Sequence, residues 1–480
     1  MSDLLTAFDS DASGEAAQAF TAIASRYLAG AGSGEGPVST PLQPAELAGR
    51  FEAPMPADGE ALEASLERLE RDVVRDANRL AHPMAMGHQV SPPLPAAIWS
   101  DAVISALNQS VAVWEMSPTL TLVEAQVIRW MTAMAGLGPS AGGTFTSGGT
   151  EATFTALLAA RAAAQPNAWR DGVGAAPPLV LCGEHAHYAV TRAVGELGLG
   201  VENAVLVPAR DHRTDPLAIE AAVNSARAAG RRIMAVVATA GSTATGSFDD
   251  LVAIGALCDR EGIWLHVDGA HGAAALFSEH HRHRLAGLSR ARSIAWDAHK
   301  MMLMPLPAGM LLMSDERDLE RAFSQSAPYL FHAGEGERIV DQGVRSFMCS
   351  RRGDALKVWA SLHRYGSRAF GLLYDGLCDA AATLHTQIGE RGDFESLHVP
   401  ESNILCFRST CDSMPDDRDE RNARTQRARE RYNRSGAGWI TTTVLAGERV
   451  FRVTIMNPRT RSEHTARMLD GLAEAVRSAE

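Results

Sequence analysis

No apolar run in this 480-residue chain approaches the ~20 residues that a membrane-crossing helix needs. Met1-Ser2-Asp3 is not followed by a basic segment and an apolar core, so no secretory leader is visible. Basic charge is also in short supply. The net charge is −12, and the lysines and arginines are scattered, apart from Arg282 and Arg284 in a His-rich stretch. Binding to nucleic acid or to an anionic membrane therefore has no electrostatic support. The six cysteines, Cys182, Cys258, Cys349, Cys378, Cys406 and Cys411, include no CxxC pair and mostly sit in apolar segments. They read as buried free thiols in a reducing cytosol. No internal repeat is present. These absences leave a cytoplasmic protein of ordinary globular composition, 46% hydrophobic and 21% charged. It is too long for one compact core.

What is present is a change of pattern along the chain. Ala16–Leu28 suits a helix, and a Gly-rich stretch over 29–37 suits a flexible linker. Over 59–80, Leu62, Leu66, Leu69, Val73, Ala77 and Leu80 recur at helical spacing and predict an amphipathic helix ended by His82-Pro83. From about 120 to 315, short apolar runs alternate with helical segments. Strands are expected at Thr144–Thr146, Leu179–Cys182, Val205–Val207, Met234–Thr239, Ile263–Val267 and Ser293–Trp296. Such alternation predicts an α/β fold with a mostly parallel central sheet covered on both faces. Ligands in such folds bind at the carboxyl ends of the strands. After about 365 a long helix, strands near Asn403–Phe407 and Phe451–Met456, and a last helix over Ser462–Ser478 suit a small α+β domain.

Four segments at expected strand ends carry chemistry. Ser147-Gly148-Gly149-Thr150 supplies backbone N–H groups and hydroxyls just before a helix, which suits a phosphate; a capped glycine turn is the plainer alternative. It lacks the GxxxxGK[ST] of a nucleoside-triphosphate loop. Asp268 ends an apolar run, where a carboxylate needs a partner such as a pyridinium N–H, a metal or a buried arginine. His266 and His271 keep the metal alternative open. Lys300 sits beside Met301, Met302, Leu303 and Met304, where desolvation favours the neutral, nucleophilic amine; it could equally snorkel from an apolar edge. His187 offers a flat ring for stacking and a proton to donate. A lysine for an imine, an aspartate for a pyridine nitrogen, a stacking ring and a phosphate loop, in this order, match the needs of pyridoxal phosphate (PLP).

Together these residues resemble the group II PLP-dependent amino-acid decarboxylases, which act on aromatic amino acids, glutamate, cysteine sulfinate or diaminobutyrate. The similarity runs from about His82 to Asn457. Ser147-Gly-Gly-Thr-Glu-Ala152, Ala186-His187, His266-Val267-Asp268-Gly269-Ala270 and Asp297-Ala298-His299-Lys300 look like the family's motifs, with Gly269 in place of the usual alanine. The resemblance implies a PLP fold type I homodimer with active sites at the interface. An N-terminal helical arm (1–90), a large PLP-binding domain (91–365) and a small C-terminal domain (366–480) are expected. It implies Lys300, His187 and Asp268 as catalytic residues. Ser147, Gly148, Gly149, Thr150, Thr239, Ala270 and His299 join these three around the cofactor, and His88, Gln89, Trp114 and Arg351 are candidates for the substrate pocket. For Arg351 a structural role is the stronger expectation.

The resemblance implies decarboxylation of an L-amino acid to an amine and CO2. One departure matters. Many members carry a tyrosine in the loop after the lysine, where it protonates the product carbon, whereas Arg338–Arg345 holds none; Tyr329 lies earlier. His187, His332 or water would then serve, or the carbanion would react with oxygen and give an aldehyde. Another PLP carbanion reaction, a non-enzymatic PLP-fold subunit, and a metal-dependent hydrolase on His266, Asp268 and His271 are the remaining alternatives.

Overall fold

A computed structural model describes residues 2–40, 42–323, 341–411 and 414–479. The chain divides into two compact units. The larger comprises Gln89–Ala382 and His398–Ile404; the other comprises Met1–His88, Thr383–Leu397 and Leu405–Glu480.

The larger unit is built on seven strands: β1 (Gly142–Thr146), β2 (Leu179–Gly183), β3 (Ala204–Val207), β4 (Ile233–Thr239), β5 (Trp264–Asp268), β6 (Ser293–Asp297) and β7 (Gly309–Met313). Their order in the sheet is β1-β7-β6-β5-β4-β2-β3. The pairs from β6 through to β3 are parallel, and β7 runs antiparallel to both its neighbours. Strands β2, β5, β6 and β7 are buried along their whole length, which is why they read as continuous apolar runs rather than alternating ones. Helix Gly149–Ala164 packs its small residues, among them Ala152, Ala156 and Ala160, into a core with Val180, Val237, Leu311 and Met313. The mostly parallel sheet is the one expected from sequence. The antiparallel β7 was not foreseen, because its apolar run follows Met301–Met304 too closely to be read as a separate strand.

In the other unit, Phe394–Ser396 (β8), Ile404–Ser409 (β9), Thr441–Leu445 (β10) and Glu448–Thr454 (β11) form a sheet in the order β8-β9-β11-β10. Helices Arg418–Arg434 and Ser462–Arg477 accompany it. The N-terminal helix is longer than expected, running Gly14–Gly32 into the stretch read as a linker, with Ser13 accepting from Ala16 N–H as its cap. The helix expected over 59–80 is shorter. An α-helix covers Leu62–Arg68 and a π-helical turn Leu69–Val74, after which Asp76 is held by Arg50 at 2.6 Å. None of the described helices is long and apolar enough to cross a membrane.

Candidate active site

The carboxyl ends of five strands deliver the candidate residues to one place in the larger unit. Strand β1 ends at Thr146, and the chain turns through Ser147-Gly148 into helix Gly149–Ala164, which has no side-chain cap. Its first N–H groups have no intrahelical partner. The glycine positions of the turn leave no room for side chains. A Cβ at Gly149 would stand 2.8 Å from Ala270 Cβ, and one at Gly309 on β7 would stand 2.5 Å from Gly148 Cα. Glu151 closes the turn by accepting from Ser147 N–H at 2.7 Å.

Beyond β2, His187 accepts from Ala189 N–H through Nδ1 at 3.3 Å, so the proton of the neutral ring lies on Nε2. Burial lowers the basicity of this imidazole, against the opposing pull of Asp268. At the end of β4, Thr239 donates its N–H to Asp249 Oδ2 at 2.7 Å, and Asp249 is anchored in turn by Thr214 N–H at 2.7 Å. Thr239 Oγ1 is left buried with no partner. Asp268 ends β5 and accepts from Ala270 N–H through Oδ1 at 3.1 Å. A Cβ at Gly269 would already sit 3.0 Å from Ala273 Cβ and 3.1 Å from Ala295 O. That crowding is a physical reason for glycine there.

Strand β6 ends at Asp297, and the next three residues fold back on it. Lys300 Nζ lies 3.1 Å from Asp297 Oδ2. His299 Nε2 lies 3.4 Å from the same oxygen. His299 Nδ1 accepts from Ala308 N–H at 3.2 Å, which again leaves the proton of the neutral ring on Nε2. Burial lowers the His299 basicity.

These residues line a single cavity of about 370 Å³. Its wall carries Ser147, Gly148, Gly149, Thr150, His187, Thr239, Asp268, Ala270, His299 and Lys300, together with Gln89. All ten positions expected around a cofactor are thus brought together. A larger, more apolar groove of about 830 Å³, lined by residues such as Trp130, Met131 and Phe277, contains none of them; chemistry rather than volume picks out the site. The cavity fits a phosphorylated pyridine aldehyde. It joins an anion cradle of two glycines flanked by the Ser147 and Thr150 hydroxyls, an amine and a carboxylate. Thr239 Oγ1, Gln89 Nε2 and Asp297 Oδ1 in its wall are buried without partners.

A pyridoxal-dependent decarboxylase conserved-domain model matches residues 44–410. The chain belongs to this family. It is a PLP-dependent amino-acid decarboxylase, a carboxy-lyase. The decarboxylase is 34% identical over 435 residues to L-2,4-diaminobutyrate decarboxylase of Rhizobium meliloti (strain 1021), covering 89% of this chain and 84% of that protein. The crystal structure of mouse CSAD superimposes with a TM-score of 0.89 at 28% identity, over 96% of this chain and 99% of that one. The aldehyde-forming alternative has a more distant counterpart: Rhodiola rosea 4-hydroxyphenylacetaldehyde synthase, with a TM-score of 0.86 over 97% of both chains, is 22% identical. That likeness shows the fold alone.

The remaining substrate-pocket candidates fare differently from Gln89. Arg351 is buried away from the cavity, with both terminal nitrogens 2.8 Å from the oxygens of buried Glu124, as its expected structural role requires. Trp114 is half-buried in a short 3-10 helix, its N–H donated to Asp341. His88 belongs to the other unit, where its ring meets Trp439 edge-on at 5.1 Å. His332, Tyr329 and positions 338–340 lie outside the described residues. His266 stays behind the cavity on Ser293 Oγ at 2.9 Å, whereas His271 reaches the wall and holds Asn403 at 2.7 Å. The wall also carries His271, which the sequence singled out only as a metal alternative, and Gly241, Thr243, Leu306 and, above all, Asp297, to which the sequence assigned no role. The signal for Asp297 was its place three residues before Lys300.

Proposed function

We propose that the cavity holds PLP through the ten residues on its wall and removes the α-carboxylate of an L-amino acid there. The convergence of five strand ends on one cavity carries this reading. When bound, PLP supplies an aldehyde for an amine and a ring that accepts the electron pair left by departing CO2. The N–H groups at the start of helix Gly149–Ala164, with the Ser147 and Thr150 hydroxyls, hold the phosphate. Lys300 Nζ, 3.1 Å from Asp297 Oδ2, would be the amine that anchors the cofactor's aldehyde. Asp268, with Oδ1 engaged by Ala270 N–H, offers its second oxygen to keep a proton on the ring nitrogen. His187, held toward its neutral form by burial, would stack on the ring and would carry a proton on Nε2 available to the product. Ala270 would pack against the bound cofactor, and Thr239 Oγ1 and Gln89 Nε2 would supply hydrogen bonds from the cavity wall.

The decarboxylase works as a homodimer in a reducing compartment, the cytoplasm. Trp99, Val103 and Leu107, spaced four apart on helix Pro95–Leu107, form one exposed apolar stripe, the kind of face that a second copy covers. No disulfide joins any of the six cysteines, all of which are among the described residues. The deciding experiment is CO2 release from a panel of amino acids including diaminobutyrate and cysteine sulfinate, with the wild type and Lys300→Ala. The wild type is expected to show the absorbance of a lysine-bound cofactor and to release CO2 without consuming oxygen. Lys300→Ala is expected to lose both signals while keeping its circular dichroism. Full activity in the variant, or oxygen uptake matching turnover, overturns the reading.

A further inference from the structure

The roles above leave Asp297 without one, yet it is the most confined charge in the cavity. It is 2% exposed. Its Oδ2 contacts Lys300 Nζ at 3.1 Å and His299 Nε2 at 3.4 Å, and its Oδ1 is buried without a partner. It also abuts the anion cradle. A Cβ at Gly149 would lie 3.1 Å from Asp297 Oδ2, and one at Gly148 would lie 3.9 Å from Oδ1. A carboxylate is a poor neighbour for a phosphate, because like charges a few ångströms apart in a partly desolvated site repel strongly. The other groups facing the cavity do little to offset it. Burial keeps His187 and His299 toward their neutral forms, and Asp268 adds a second carboxylate. Lys300 is the cation that compensates.

We propose that Asp297 is a positioning residue that holds Lys300 Nζ at the mouth of the cradle, and that its charge caps the affinity of the site for the cofactor phosphate. The two effects come from one pair. With Lys300 in place, the phosphate meets a neutralised carboxylate and a correctly aimed amine. With Lys300 removed, it meets a bare carboxylate. The decarboxylase thereby trades retention of PLP for orientation of its amine. This rests on the cofactor reading above.

The test uses the cofactor-free protein and pyridoxine 5′-phosphate, which carries the phosphate but no aldehyde and so reports on the cradle without lysine chemistry. Pyridoxine, which lacks the phosphate, is the control. Asp297→Asn is expected to bind the phosphate ester on the order of tenfold more tightly, the effect of one charge at close range in a partly screened site, with pyridoxine unchanged. Lys300→Met is expected to bind the ester about tenfold more weakly, and the double variant to return to within roughly threefold of wild type. A residue with only a structural role would loosen binding in every variant. Ester affinity unchanged or weaker in Asp297→Asn overturns the proposal. Undiminished affinity in Lys300→Met does so too, and that arm stands by itself where Asp297→Asn does not fold. A wild type that binds neither the ester nor PLP overturns the cofactor reading instead.

Discussion

His266 and Asp268 lie two residues apart on β5, yet only Asp268 reaches the cavity. His266 is one step deeper, fully buried, and bonded to Ser293, which also accepts from Trp264 Nε1 at 2.8 Å. Burial pushes its imidazole down to about 4, against roughly 6.5 in an unfolded chain. Below about 6.5 the unfolded state takes up a proton that the native state refuses. The stabilisation is therefore complete above that pH and is lost as the pH falls toward about 4, on the order of 3 kcal/mol in all. Urea denaturation between pH 7 and 4.5 should show a slope shallower by about one proton in His266→Gln than in wild type. Asp268, His187 and Lys300 were legible as residues because each follows an apolar run and carries chemistry the core cannot use. Asp297 was not, since only the fold-back after β6 brings Lys300 onto it.

Among the elements, a buried ion pair braces the strand that leads to the cradle. Glu124, on helix Pro118–Met134, receives both Arg351 nitrogens and also accepts from Phe145 N–H of β1 at 3.1 Å. Breaking such a pair from one side leaves a buried charge uncompensated. Arg351→Met should therefore cost roughly 3–5 kcal/mol by denaturant titration, and adding Glu124→Leu should restore part of that loss. Element positions in the sheet were readable from sequence wherever an apolar run stood apart from its neighbours. Helix Arg418–Arg434 was missed for the opposite reason: polar almost throughout, it has no apolar rhythm. It is fixed by its Asp417 cap, by Gln426 bonded to Glu430, and by a few buried side chains such as Ala428 and Tyr432.

At the scale of the whole molecule, the exposed stripe on helix Pro95–Leu107 makes a prediction about assembly. Val103→Asp puts a charge in its middle. Sedimentation should show a species of twice the chain mass for wild type and a shift toward the single chain for the variant, with CO2 release falling in parallel. Residue pattern alone could not reveal this face, because its apolar positions look like those of any core helix until the folded chain leaves them uncovered. One further property of the molecule follows from Gly309. It pairs with Thr146 of β1 on one side and with Asp297 of β6 on the other, so a single backbone position aligns the anion cradle with the lysine turn. The β6–β7 pairing is local, but the β1–β7 pairing joins segments far apart in sequence, a contact whose loop-closure cost makes it slow to form. A ligand that binds only the finished protein pulls on that closing step by mass action. Cofactor supply during synthesis should thus govern how much chain matures, and uptake of PLP should mark the moment the sheet is complete.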